Sequence, residues 1–282
     1  MIARWPWRGA PFFAGFVGWL VLAAAGVCLA DPPEIPAQPP VRAAALHLVE
    51  LKSGRVLLTK NATQPLPPAS LTKIMTAVVA LNEASLHDVI QVDGRALHAR
   101  SSLKLRRGEP FLLRDLLAAM LVTSANDACE AIAWHIGGTP AKFVEKMNAR
   151  AEVLGLSRTH FANPCGFDAP GHYSTAEDLT RLTQAALQIP EFSMMVRTVE
   201  REIATTDGRR SIHLYSTNQL LLDPDVTGVK TGFTNKAGRC LIASMFKDGQ
   251  QLLLVGLNVV DRWEQATQLL RYGQALLRTG QE

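Results

Sequence analysis

The sequence predicts a mixed α/β chain of the α+β kind, with strands near both ends and helices between them. Three observations carry this. Residues 43–50 and 55–60 alternate around Ser53-Gly54 as a hairpin does. Residues 71–189 have mostly helical spacing with short loops. Residues 226–260 read as antiparallel strands with Asp248-Gly249 at a turn, followed by one last helix.

Taken in order, the chain opens on Arg4 and Arg8, then an uncharged run over residues 9–30 that ends in Cys28-Leu29-Ala30. This is expected to be a secretory signal cleaved there, although the run is long enough to remain as a membrane anchor. Pro32, Pro33, Pro36, Pro39 and Pro40 stiffen a linker over 31–41. Residues 42–282 follow as the expected catalytic domain. Proline again stiffens Gln64-Pro65-Leu66-Pro67-Pro68-Ala69, so a helix is expected to begin after it. From Leu71 the residues Ile74, Met75, Val78, Val79 and Leu81 form its apolar face. Residues 111–122 predict a second amphipathic helix, and another starts near Asp127. In the final helix Trp263, Ala266, Leu269, Leu270, Gly273 and Leu277 share one side, which predicts packing on a sheet in preference to membrane contact. Fifty residues follow Gly232, room to complete the catalytic domain but not a second one.

Charge excludes one class of partner. The chain carries +4, and loss of residues 1–30 removes two arginines and no acids, leaving +2, too little to suggest nucleic acid. Cys129, Cys165 and Cys240 would remain after export. Their spacing fits no metal site, and the expectation is three small buried apolar residues in preference to a structural disulfide.

Chemistry concentrates in three motifs: Ser70-Leu71-Thr72-Lys73, Ser124-Ala125-Asn126 and Lys230-Thr231-Gly232. They supply a hydroxyl nucleophile, a lysine one helical turn away, a second hydroxyl with an amide, and a cationic strand. Those parts can activate a serine without histidine and hold an anionic acyl substrate. Ser70 is placed at or near an N-cap, with Lys73 on the same face. A lysine kept from water loses proton affinity and becomes a base near neutral pH. Thr123-Ser124-Ala125-Asn126 reads as a tight interhelical link, where Ser and Asn also serve as caps. Gly232 in Val226–Thr234 allows close approach to the strand. Rival pairs fare worse. Ser101 and Lys104 lie in a basic stretch with no apolar helical face, and Ser244 and Lys247 fall on opposite faces of a strand.

This triplet is shared by class A β-lactamases and penicillin-binding proteins. Over roughly residues 42 to 278 the chain resembles the D-alanyl-D-alanine carboxypeptidases, which are low-molecular-weight penicillin-binding proteins. The similarity includes Leu66-Pro67-Pro68-Ala69-Ser70-Leu71-Thr72-Lys73-Ile74-Met75-Thr76 and Ser124-Ala125-Asn126-Asp127-Ala128-Cys129. It extends to His160-Phe161-Ala162-Asn163-Pro164-Cys165-Gly166-Phe167-Asp168 with Tyr173-Ser174-Thr175-Ala176, and to Gly228-Val229-Lys230-Thr231-Gly232-Phe233-Thr234. The resemblance implies a β-lactamase/transpeptidase-like fold, in which N- and C-terminal strands share one antiparallel sheet beside a helical lobe. It implies Ser70 as acylated nucleophile, Lys73 as its base, Ser124 as proton relay and Asn126 as a peptide-backbone contact. Lys230, Thr231 and Thr234 would fix a terminal carboxylate, with Arg262 a further candidate. The backbone N–H groups of Ser70 and Phe233 would form the oxyanion hole beside Gly232. Where some relatives carry histidine, Phe233 keeps only the backbone role.

The expected activity is removal of the terminal D-alanine from peptidoglycan pentapeptide stems in the periplasm or at the outer surface, with β-lactams acylating the same serine. Alternatives are a DD-endopeptidase and a non-hydrolytic β-lactam sensor or cell-wall binder. A β-lactamase is disfavoured because no glutamate is identified for fast deacylation. Neither a metal nor an organic cofactor is expected.

Overall fold

The first two and the last three strands meet in one sheet. The computed structural model describes residues 37–97 and 103–279. The predicted leader, the first part of the proline-rich linker and Ser101 lie outside the described residues. The elements run β1 (Ala43–Glu50), β2 (Val56–Lys60), α1 (Lys73–Glu83), β3 (Val89–Gln91), β4 (Pro110–Leu112), α2 (Leu113–Val122), α3 (Asn126–Gly137) and α4 (Pro140–Val153). Then come α5 (Ala176–Leu187), α6 (Pro190–Val196), β5 (Glu200–Ala204), β6 (Ser211–Tyr215), β7 (Val226–Thr234), β8 (Gly238–Lys247), β9 (Gln250–Val259) and α7 (Arg262–Arg278). The main sheet has the order β2-β1-β9-β8-β7, and each neighbouring pair is antiparallel.

Strand periodicity divides this sheet between two cores. On β8 and β9, Leu241, Ala243, Leu252 and Leu254 face α7 and pack with its Ala266, Leu269 and Leu270. Ile242, Leu253, Val255 and Leu257 point the other way, into the larger core shared with α1, α2, α3 and α5. A one-residue slip would exchange the two sets, so burial on both faces fixes the register. The final helix is therefore a sheet-packing helix, as its apolar stripe predicts. Among the described residues no helix is long and apolar enough to cross a membrane.

The segment expected to be mostly helical also holds the short pair β3–β4. Pairing of Pro110–Leu112 with β3 moves the start of α2 to Leu113, two residues later than its apolar spacing suggests. The hairpin β5–β6 was absent from the sequence expectation. Its strands bury only Ile203 and Leu214, so they carry little apolar alternation to read.

Candidate active site

Ser70 sits in a 3-10 turn, Ala69–Thr72, ahead of α1, which starts at Lys73. Ser70 lies near a cap, as expected, and is not itself one: Pro68 caps the turn, and Ser70 is its second residue. Ala69, just before the nucleophile, has φ +49°, a left-handed conformation that costs a non-glycine residue about 1 kcal/mol. Ser124, in the α2–α3 link, has φ +64°. Strain of this kind needs surrounding support; it falls on Ser124 itself and on the residue just before Ser70.

Lys73 is fully buried, with Nζ 3.0 Å from Ser70 Oγ, 2.8 Å from Asn126 Oδ1 and 2.7 Å from the Cys165 carbonyl oxygen. Burial lowers its pKa from 10.5 to about 7, with the Glu130 carboxylate opposing the shift. A neutral amine has two N–H donors and one lone pair. The Asn126 and Cys165 oxygens can only accept, so they take the two protons. Ser70 is the one partner able to donate, and its O–H then points at the lone pair.

The Cys165 carbonyl is delivered by a folded loop. Asn163 Oδ1 accepts from the backbone N–H of Cys165, Gly166 and Phe167 at 3.2, 2.8 and 2.9 Å, and its amide donates back to the Phe167 carbonyl at 2.9 Å. Thr76 Oγ1 of α1 ties the same loop through the Pro164 carbonyl at 2.5 Å. Gly166 is required here: its φ is +87°, and a Cβ would lie 1.9 Å from the Ala69 carbonyl oxygen.

The third motif lies against the nucleophile turn. A Cβ on Gly232 of β7 would sit 3.0 Å from Ser70 N, which brings the strand backbone beside Ser70. Lys230 is fully buried and donates to the Thr231 carbonyl at 2.9 Å. Burial, then the Lys73 and Arg262 charges, push its pKa well below the ordinary lysine value. Thr231 Oγ1 shares a 2.7 Å hydrogen bond with Thr217 Oγ1. A cleft of about 260 Å³ opens over Ser70 and Asn126, walled by Gly166, Phe167, Asp168, Phe233 and Thr234. Phe233 is 60% exposed at its rim.

Two expected carboxylate contacts are engaged elsewhere. Thr234 Oγ1 donates to Asp168 Oδ1 at 2.6 Å and accepts from Ala237 N–H at 3.0 Å, so its proton already has a carboxylate partner. The Arg262 guanidinium donates to the Gly232 carbonyl at 3.1 Å and lies over the Trp263 ring, away from the cleft lining. Both residues instead anchor the end of β7.

The cysteine expectation holds for burial of all three residues and for Cys240, but the preference against a disulfide is overturned. Cys129 and Cys165 form a disulfide with Cα atoms 5.9 Å apart, and Cys240 is free and buried. Cys129 lies one turn beyond Asn126 on α3, and the Asn163-bound loop carries Cys165 against that helix. A separation of 36 residues gives no hint of this proximity. Glu130, Asp168, Thr217 and the Cys165 carbonyl also escaped sequence reasoning. The signature around residues 160–168 was visible, but its contribution is a turn and a carbonyl, which side-chain patterns do not reveal.

Sheet, helical lobe and a cleft serine backed by a buried lysine define a serine peptidase of the penicillin-binding type. The chain belongs to the D-alanyl-D-alanine carboxypeptidase family, whose sequence profile matches residues 33–261. It is 36% identical over 277 residues to the D-alanyl-D-alanine carboxypeptidase DacD of Escherichia coli, covering 92% of this chain and 70% of that protein. It is 31% identical over 277 residues to a D-alanyl-D-alanine endopeptidase of Pseudomonas aeruginosa, covering 93% and 87%. Its fold matches penicillin-binding protein D2 of Listeria monocytogenes in the ampicillin-bound form with a TM-score of 0.74 at 30% identity, covering 84% of this chain and 99% of that one.

Proposed function

We propose that Ser70 attacks the carbonyl of a D-alanyl-D-alanine stem terminus, releases D-alanine, and forms an acyl-enzyme that water hydrolyses. The single observation that carries this is the contact between Lys73 Nζ and Ser70 Oγ at 3.0 Å, with both other lysine partners unable to donate. Lys73 takes the hydroxyl proton as Oγ bonds to the carbonyl carbon. The oxyanion that develops would meet the backbone N–H groups of Ser70 and Phe233. Ser124 would pass a proton to the departing amine. Asn126 holds Lys73 through Oδ1, and its amide nitrogen would meet the substrate backbone. Lys230 and the Thr231–Thr217 hydroxyl pair would supply charge and hydrogen bonds for the terminal carboxylate. An anion there would give the desolvated Lys230 the countercharge it lacks.

β-Lactams would acylate Ser70 in the same way, a reading supported by the ampicillin-bound relative. An extracytoplasmic setting is supported by the Cys129–Cys165 disulfide, a bond favoured in oxidising compartments. The P. aeruginosa endopeptidase, 87% of which this chain covers, favours one second reading: cleavage of D-alanyl crosslinks by the same machinery.

One assay separates these. The protein is labelled with fluorescent penicillin, the adduct is located by mass spectrometry, and pentapeptide and crosslinked muropeptides are then offered. Label on Ser70 with D-alanine release supports the proposal, and Ser70→Ala should take no label. Crosslink cleavage without D-alanine release points to the endopeptidase. Persistent label with neither substrate cleaved points to a sensor, and labelling of Ser70→Ala would overturn the nucleophile.

A further inference from the structure

A buried histidine has no part in the chemistry above, yet one of its hydrogen bonds runs directly to the nucleophile turn. His172 is 5% exposed, and its ring lies 6.0 Å from the Phe161 ring. The Ala162 backbone N–H donates to its Nδ1 at 2.9 Å. Its Nε2 lies 2.9 Å from Thr72 Oγ1, which in turn donates to the Ala69 carbonyl at 2.8 Å.

The two ends of this chain fix its direction. An amide N–H can only donate, so Nδ1 carries no proton and the ring proton resides on Nε2. A carbonyl can only accept, so the Thr72 proton points at Ala69 and Thr72 must receive from His172. The imidazole is therefore neutral with Nε2–H. Burial holds its pKa down at about 4, the nearby His160 charge adds to that, and the Asp168 carboxylate opposes it.

The carbonyl at the end of this relay is the other half of the Ser70 amide. In a trans peptide the C=O of one residue and the N–H of the next lie in one plane and point in opposite directions. Holding the Ala69 oxygen therefore aims the Ser70 N–H, the expected oxyanion donor. The hold is needed because Ala69 is in the left-handed region at φ +49°. Gly166 covers the same oxygen from the loop side, so a free rotation of this plane would meet backbone there and lose a hydrogen bond on the Thr72 side.

We propose that His172 is a positioning residue for Ser70 acylation: through Thr72 it locks the Ala69–Ser70 peptide plane and so aims the oxyanion donor. The proposal rests on Ser70 being the nucleophile. It assigns no substrate contact to His172.

The test compares His172→Gln, His172→Leu and Thr72→Val in the full chain. Glutamine can accept from Ala162 with its oxygen and donate to Thr72 with its amide, whereas leucine and valine break the relay. Acylation rate constants and affinities for fluorescent penicillin are measured beside thermal melts. Loss of a well-aimed oxyanion donor costs roughly 10²–10³ in rate, so partial misalignment in His172→Leu and Thr72→Val should slow acylation by about 10–100-fold. Affinity should change much less, and the pH midpoint set by Lys73 should stay in place. His172→Gln should recover most of the rate, and a His172→Leu/Thr72→Val double variant should be no slower than the worse single one. Folded Thr72→Val or His172→Leu acylating at the wild-type rate would overturn the proposal. So would folded His172→Gln as slow as His172→Leu. A wild-type protein that takes no label on Ser70 would instead sink the nucleophile assignment, and this proposal with it.

Discussion

Acylation should titrate with Lys73. Full burial moves this amine from pKa 10.5 to about 7, a change of about 5 kcal/mol in the relative free energies of its two protonation states. At pH 7.5 an ordinary lysine is free base in roughly one molecule in 10³, whereas here the larger share is, so burial supplies a gain of nearly 10³ in competent enzyme. The sign follows from the direction of the shift. Above the folded pKa the lone pair is available to Ser70, and below it the third proton occupies that position. Between pH 8 and pH 6 the free-base fraction falls from about 0.9 to about 0.1, so acylation should fall about tenfold, approaching tenfold per pH unit at lower pH. Stopped-flow measurement of the second-order rate constant for a fluorescent penicillin between pH 5 and 9 provides the test, with ionic strength held fixed. A rate that is flat from pH 6 to 8, or that still climbs toward pH 10, would refute the role of Lys73 as base in this pocket.

Other perturbations probe the supports of that pair. The Glu130 carboxylate raises the Lys73 pKa, so Glu130→Gln should move the acid limb of the acylation profile to lower pH. Cys129→Ala should still be labelled on Ser70. By loop-closure entropy, opening the 36-residue span should cost about 4 kcal/mol, or roughly 10 °C in melting temperature, which differential scanning calorimetry would read. Gly166→Ala would drive a Cβ into the Ala69 carbonyl at a positive φ, costing about 3 kcal/mol or more and slowing acylation at least tenfold by the same penicillin assay.

The parts of this protein that were legible beforehand are those where a residue's type and its chain spacing determine its geometry. Ser70 and Lys73 are three residues apart in tightly wound backbone, so their contact follows from local structure alone. The long strands β8 and β9 were readable because Leu, Ile and Val alternate between two cores. What stayed hidden depends on contacts at long range or on backbone atoms. Cys165 contributes a carbonyl and half of a disulfide, and neither contribution can be read from its neighbours. Thr234 has the right chemistry for a carboxylate, but Asp168, 66 residues away, takes its proton. Arg262 was only a further candidate for the substrate carboxylate, and its guanidinium donates to the Gly232 carbonyl near the end of the strand.

The pocket around Lys73 satisfies both protonation states without moving a heavy atom. As an ammonium, Nζ has three protons for three oxygens at 3.0, 2.8 and 2.7 Å. As an amine it keeps the two shorter contacts, and only the Ser70 hydroxyl must turn, from acceptor to donor. Taking up the serine proton therefore needs little reorganisation, because the charged lysine finds acceptors already in place. Desolvation sets how readily the proton is lost, Glu130 limits the extent of that loss, and the Asn126 and Cys165 oxygens direct the remaining lone pair. A base made in this way depends on the absence of any second donor. Asn126→Asp would preserve an acceptor at that position while adding a negative charge beside the ammonium. Lys73 should then hold its proton to higher pH, and acylation at pH 7 should fall even though the acceptor contact to Lys73 survives.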